Sequence, residues 1–286
     1  MPQLNHWATW TAIITPFTEK GIVDLASLER LLRRQEEAQN GIVLLGSTGE
    51  ALALDQTERR AILNHACALD LSVPILVGVD GFRLRDVQEW MKECETHPID
   101  GFMLVTPIYA RPGKHGQIHW FKELLNTTKK PCMLYNVPHR AGSHLHIDVI
   151  RELKNHPNFW AIKEASGSIE TFQLFAKEAP HVLLFSGNDD SLPKGAHGLV
   201  SVMGNLWPHE VNAYVKEKSS HENWKKAARL SNECNPVMIK RYLYEKGIIS
   251  SDFLKPPLSP KDGGNLSALM EAEEQLGIGK LREALQ

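Results

Sequence analysis

The chain has 286 residues, of which 42% are hydrophobic and 23% charged, with a formal net charge of −2 at pH 7. That length suits one large domain or two small ones, and the near-neutral balance gives no long-range attraction to nucleic acid or an anionic membrane. The basic pairs Arg33-Arg34 and Lys225-Lys226 are short and interleaved with acids, which leaves small-molecule chemistry as the expectation.

At the N-terminus, Met1-Pro-Gln-Leu-Asn-His-Trp7 has neither a basic start nor a long apolar segment. No other stretch approaches the ~20 apolar residues of a membrane span, so a cytoplasmic protein is expected. Cys67, Cys94, Cys132 and Cys234 lie far apart with no Cys-x-x-Cys spacing. Reduced thiols are expected of them, rather than a disulfide framework or a zinc site.

In chain order, short apolar and β-branched runs recur at residues 10–17, 41–46, 73–79, 101–106, 131–137, 159–165, 181–186 and 199–203. Most are separated by stretches of helical period, such as Leu25, Leu28, Leu31 and Leu32, then Ile62, Leu63, Ala66 and Leu69. Continuous apolar strands alternating with amphipathic helices imply a parallel sheet covered by helices. Eight such units predict an α/β fold, a (β/α)8 TIM barrel. A doubly wound open sheet is the alternative, but no Gly-x-Gly-x-x-Gly follows an early strand. Residues 208–219, 223–246 and 266–277 read as helices beyond the barrel strands. The expected organisation is barrel strands and helices in residues 1–207, with the last barrel helix and a helical C-terminal extension in residues 208–286 of the same domain.

Barrel active sites gather at the C-terminal ends of the strands, so polar residues that end apolar runs are the candidates. Lys163 ends the run Phe159-Trp-Ala-Ile-Lys163. An amine held among Phe159, Trp160 and Ile162 loses hydration, which favours the neutral form that attacks a carbonyl. The competing readings are a lysine that snorkels to solvent or pairs with Glu164. Tyr135 ends the preceding strand, where a phenol either shuttles protons or packs in the barrel mouth. Beyond it, Pro138 stiffens a turn and Arg140 offers a guanidinium fork suited to a carboxylate. After the second strand, Ser47 and Glu50 have the spacing of a capping box, while the Gly-Ser-Thr-Gly turn also directs amides and hydroxyls at an anion. His115 and His119 are four residues apart but lack the acid of a His-Glu-x-x-His zinc motif.

Taken together, Gly46-Ser-Thr-Gly-Glu50, Tyr135-Asn-Val-Pro-x-Arg140-x-Gly142 and Ile162-Lys-Glu-Ala-Ser-Gly167 make the chain similar to the dihydrodipicolinate synthase family. That family lies within the pyruvate-dependent class I aldolases, which include N-acetylneuraminate lyase. The resemblance extends to Thr15-Pro16-Phe17, Thr106-Pro107-Ile108-Tyr109 and Ser186-Gly187-Asn188-Asp189. It implies Lys163 as the Schiff-base residue toward pyruvate, Tyr135 as the proton-transfer group, and Ser47 and Tyr109 as further members of a hydroxyl relay. It further implies that Thr48 and the turn amides hold the pyruvate carboxylate, that Arg140 clamps the carboxylate of L-aspartate 4-semialdehyde, and that Val200 faces the pyruvate pocket. A homodimer or homotetramer that needs no metal or organic cofactor is implied, on the route to lysine and diaminopimelate.

Three features depart from the family pattern. Ser47 is more often Thr in the synthases and Ser in the neuraminate lyases, whereas Arg140 is a synthase feature; a sister aldolase acting on a sugar acid or hydroxy-oxo-acid is therefore the alternative. A non-catalytic barrel would be expected to lack one of Lys163, Tyr135, Tyr109 or the relay hydroxyl, and all are present. Between Gly187 and Gly198 the helix that usually joins strands seven and eight is several residues short, with Pro193 inside it. Ile108 and Ala110 stand where relatives often carry Tyr and Asn, and the positions implied for lysine feedback read Ala51-Leu-Ala-Leu54, Gln56, Arg59 and Gly81-Phe82, so weak or absent inhibition by lysine is expected.

Overall fold

The computed structural model describes residues 4–218 and 222–278. Its strands are β1 (Thr9–Ala12), β2 (Gly41–Leu44), β3 (Ile75–Val79), β4 (Gly101–Val105), β5 (Cys132–Asn136), β6 (Phe159–Glu164), β7 (Leu183–Ser186) and β8 (Gly198–Ser201). Each falls within or beside one of the apolar runs. They pair in chain order, and β8 closes on β1, so the sheet is a closed parallel barrel and the open-sheet alternative is excluded. Closure explains the unbroken apolar strands, because the inner face meets the barrel core and the outer face meets helices.

Side-chain alternation divides the two layers. Trp10, Val43, Leu76, Met103, Met133, Phe185 and Val200 fill one interior cluster, whereas Ile42, Leu44, Val77, Phe102, Leu104, Leu134 and Leu184 pack outward.

The helices are α1 (Leu25–Glu37), α2 (Gln56–Ala68), α3 (Leu84–Cys94), α4 (Lys114–Thr127), α5 (Pro138–Ala141), α6 (Ile147–Leu153), α7 (Ile169–Glu178), α8 (Pro208–Glu217), α9 (Glu222–Asn232), α10 (Val237–Glu245) and α11 (Leu266–Gln275). Helix α1 starts where the Asp24 carboxylate accepts from the Ser27 amide and buries Leu28, Leu31 and Leu32. A reciprocal capping box, Asp55 with Glu58, opens α2.

Two expectations are corrected. The helix expected over residues 223–246 is two helices, since Pro236 cannot donate to a preceding turn and its ring clashes with the carbonyl four residues back. Between β7 and β8 there is no helix at all. Helix α9 covers that side of the barrel: Trp224 Nε1 donates to the Asp189 carbonyl at 2.8 Å and Asn232 Nδ2 donates to the Asp189 carboxylate at 3.2 Å. Helix α8 ends at Glu217; Ser219, where the sequence suggested its end, lies outside the described residues, as do Met1–Gln3 and residues 279–286 of the expected extension.

Candidate active site

Lys163 is the fifth residue of β6, in register with Tyr135 on β5 and Phe185 on β7. Only 4% of it is exposed, and its Nζ lies 4.3 Å from the centroid of the Tyr135 ring. Two details of the sequence reading change. Phe159 and Ile162 belong to the outer layer; the lysine lies instead against the Tyr135 ring, in register with Phe185 and close to Gly187. Glu164 faces the opposite way and accepts from Asn136 Nδ2 and the Ser166 amide, both at 2.6 Å, so it is not the lysine's partner. A Cβ on Gly187 would lie 2.9 Å from Lys163 Cε, so the seat of the lysine depends on a residue without a side chain.

The loop after β2 is strained at both ends. Leu45 and Glu50 both have φ of 56°, a left-handed conformation that costs a non-glycine residue ~1 to 3 kcal/mol. Between them Ser47–Gly49 form a single 3-10 turn, without the capping box that the Ser47/Glu50 spacing suggested. Glu50 is instead ion-paired with the fully buried Lys240 of α10, and its second oxygen accepts from the Lys255 amide at 2.8 Å. Thr15 Oγ1 donates to the Gly49 carbonyl at 2.7 Å, and Asn235 Nδ2 donates to Thr48 Oγ1 at 3.1 Å. Desolvation pulls the Lys240 ammonium down to about 8 against the opposing pull of Glu50.

A cavity of about 660 Å³ opens at this end of the barrel, within the range typical of small-molecule sites. Its wall brings together Ser47, Tyr109, Tyr135 and Arg140 with the apolar Met103, Val105, Ile108 and Val137. Lys163, Thr48 and Val200 are not part of that wall. Lys163 adjoins it through the Tyr135 ring, Thr48 is buried in the 3-10 turn, and Val200 is buried on β8 opposite Trp10. Arg140 stands on α5, closed by Gly142 in the left-handed conformation, and donates to the Asn235 carbonyl at 2.9 Å. Tyr109 has φ of 63° and is 90% exposed; no hydrogen bond links it to Ser47 or Tyr135 among the described residues. Asp80, also on the wall, has its carboxyl pushed up by desolvation, against the pull of Arg59 at 3.3 Å.

A sequence profile of the Dihydrodipicolinate synthetase family matches residues 8–275. The chain belongs to that family. Among its relatives, the 4-hydroxy-tetrahydrodipicolinate synthase of Wolbachia pipientis is 42% identical over 278 residues, covering 93% of this chain and 95% of the relative. That of Chlamydia caviae is 43% identical over 274 residues, with coverage of 93% and 95%. The solved structure of the synthase from the methanotroph Methylacidiphilum fumariolicum SolV superposes with a TM-score of 0.87 at 30% identity, covering 97% of each chain.

In this dihydrodipicolinate synthetase family member, sequence reasoning missed Lys240 and Asn235, which together with the Lys255 amide grip the loop after β2 from the C-terminal extension. A signal existed for the first: Lys240 falls on the buried stripe of α10 with Val237, Ile239 and Leu243. His115 and His119 are exposed on α4, and no cluster of metal-ligating side chains occurs among the described residues.

Proposed function

We propose that the protein condenses pyruvate with L-aspartate 4-semialdehyde through a Schiff base on Lys163, giving 4-hydroxy-tetrahydrodipicolinate for lysine and diaminopimelate synthesis. Membership of the family, and the shared name of relatives matched along almost their whole length, support the reaction. The observation that carries the mechanism is a buried lysine against the ring of a tyrosine that lines a cavity also holding Arg140.

The amine of Lys163 attacks the pyruvate ketone, and loss of water leaves an imine. The imine withdraws electrons, a methyl proton leaves, and the resulting enamine carbon attacks the aldehyde, whose oxygen takes up a proton to become the 4-hydroxyl; the amino group of the condensed product then attacks the imine carbon and expels the Lys163 amine, which closes the ring and frees the enzyme. Tyr135 exchanges protons with these intermediates, and Ser47 and Tyr109 extend its hydroxyl relay. Thr48 and the amides of its turn hold the pyruvate carboxylate beside the pocket bounded by Val200. Arg140 takes the carboxylate of the aldehyde substrate. We assign the protein to the cytoplasm, where its four free cysteines stay reduced, and to a homodimer or homotetramer.

Borohydride reduction in the presence of pyruvate tests the mechanism. The expected result is one stable adduct, at Lys163; labelling elsewhere or none refutes it. Among aldehydes supplied in a coupled assay, aspartate semialdehyde alone is expected to drive pyruvate consumption, and preference for a sugar aldehyde would make the protein a sister aldolase.

A further inference from the structure

The C-terminal extension touches the Ser47–Gly49 turn at two points, although it contributes nothing to the barrel sheet. At the first, Asn235 donates through Nδ2 to Thr48 while its carbonyl accepts from Arg140. At the second, Lys240 is fully buried and donates to Glu50, the residue that ends the turn, and to the Phe253 carbonyl at 3.0 Å. The same ammonium sits 4.1 Å from the centroid of the Phe17 ring, so a carboxylate, a carbonyl and an aromatic face all meet its charge.

A buried ion pair is a weak device for stability, because the desolvation of two charges offsets most of their attraction; an apolar pair of similar volume often does as well. What it supplies is a fixed geometry. Glu50 needs one, since it holds a left-handed conformation without being glycine, and such conformations persist only where the surroundings over-determine them. Its two carboxylate oxygens are both committed, one to Lys240 and the other to the Lys255 amide.

We propose that Lys240 is a positioning residue for the oxo-acid turn: from the C-terminal extension it fixes Glu50, and through Glu50 the backbone of residues 47–49, in the conformation that serves the pyruvate carboxylate. This rests on the assignment of that carboxylate to Thr48 and its turn. Lys240 touches no substrate; its effect appears in the affinity for pyruvate and in the rate of imine formation, and the aldehyde clamp at Arg140 keeps its own hold.

The test is the kinetic profile of the double variant Glu50→Gln/Lys240→Met, which removes both charges and leaves neither alone in the interior. The pyruvate KM is expected to rise about tenfold, with kcat at saturating pyruvate and the aldehyde KM each within about threefold of the parent. Glu50→Asp, which keeps both charges but shortens the link by one methylene, is expected to raise the pyruvate KM in the same selective way and serves if the double variant fails to fold. Thr48→Val is the control. If it raises the pyruvate KM while the folded variants at positions 50 and 240 do not, Lys240 only docks the extension and the inference is overturned. If Thr48→Val also leaves that KM unchanged, the assignment of the turn falls, and the inference with it.

Discussion

Gly187 occupies its position beside Lys163 because nothing larger fits: an added Cβ would come within 2.5 Å of Ala165 Cβ as well as 2.9 Å of Lys163 Cε. Gly187→Ala must therefore push the amine off its line toward the substrate, and a displacement near 1 Å costs a positioned nucleophile up to about a hundredfold in rate. We expect a folded variant whose borohydride trapping with pyruvate slows at least about tenfold; trapping at the parental rate would show that the lysine has room to spare. Arg140→Ala separates the two substrates. A charge-assisted hydrogen bond to a carboxylate contributes ~1.5 to 3 kcal/mol, so kcat/KM for aspartate semialdehyde should fall about ten- to a hundredfold while pyruvate trapping is nearly unchanged. Equal loss in both assays would make the arginine structural, acting through its bond to the Asn235 carbonyl. Lys163, Tyr135 and Arg140 stand out in the sequence because each polar group closes or follows an apolar run. Lys240 does not, because the acid that justifies its burial lies 190 residues away.

Strands were the most legible elements, because barrel closure buries both faces and writes each one as an uninterrupted apolar run. Helix limits were legible only where a local signal marks them. Pro236 was such a signal, yet the reading of one helix over 223–246 passed over it, although the break between α9 and α10 follows from it; the absence of a helix before β8 needed the tertiary fact that α9 covers Asp189. The loops after β2 and β3 form a second cleft of about 500 Å³, lined by Leu52, Leu54, Gln56, Arg59, Phe82, Asp86 and Ile108. Its chemistry does not suit a free diamino acid, whose two ammonium groups need acceptors. Asp86 is paired with Arg83 at 3.2 Å, Asp80 with Arg59, and Asp55, the third acid on the cleft, caps α2 by accepting from the Glu58 amide at 2.8 Å. Arg59 therefore acts by occupying an acceptor, not by adding an unbalanced like charge. L-lysine titrated at subsaturating pyruvate is expected to give no half-inhibition below about a millimolar, where binding is worth ~4 kcal/mol. Inhibition at lower concentration would mean that the cleft supplies acceptors beyond these paired acids.

Across the whole molecule, Tyr109 is the residue whose surroundings least match its proposed role. It is 90% exposed, its backbone is left-handed at φ 63°, and no hydrogen bond joins it to Ser47 or Tyr135 among the described residues. The resemblance to the synthase family implies that Tyr109 completes the relay in the site of a neighbouring copy, and its exposure on a strained loop at the rim of its own cavity accords with that role. Two large apolar side chains, Leu52 and Phe82, are also exposed on the loops bordering the cavity and its neighbouring cleft. Exposed apolar groups close to a site favour burial against a partner, and a second copy of the chain would cover them while exchanging Tyr109 for its equivalent. If the catalytic unit is the proposed homodimer or homotetramer, activity per chain should collapse as the protein is diluted through its dissociation range. Tyr109→Phe should depress proton transfer in the assembled enzyme by about a hundredfold or more, the usual worth of a positioned acid or base, without altering the sedimentation coefficient. Sedimentation velocity and initial rates measured on the same dilution series decide the matter: a monomer that keeps full activity would confine the relay to one chain and leave Tyr109 outside it.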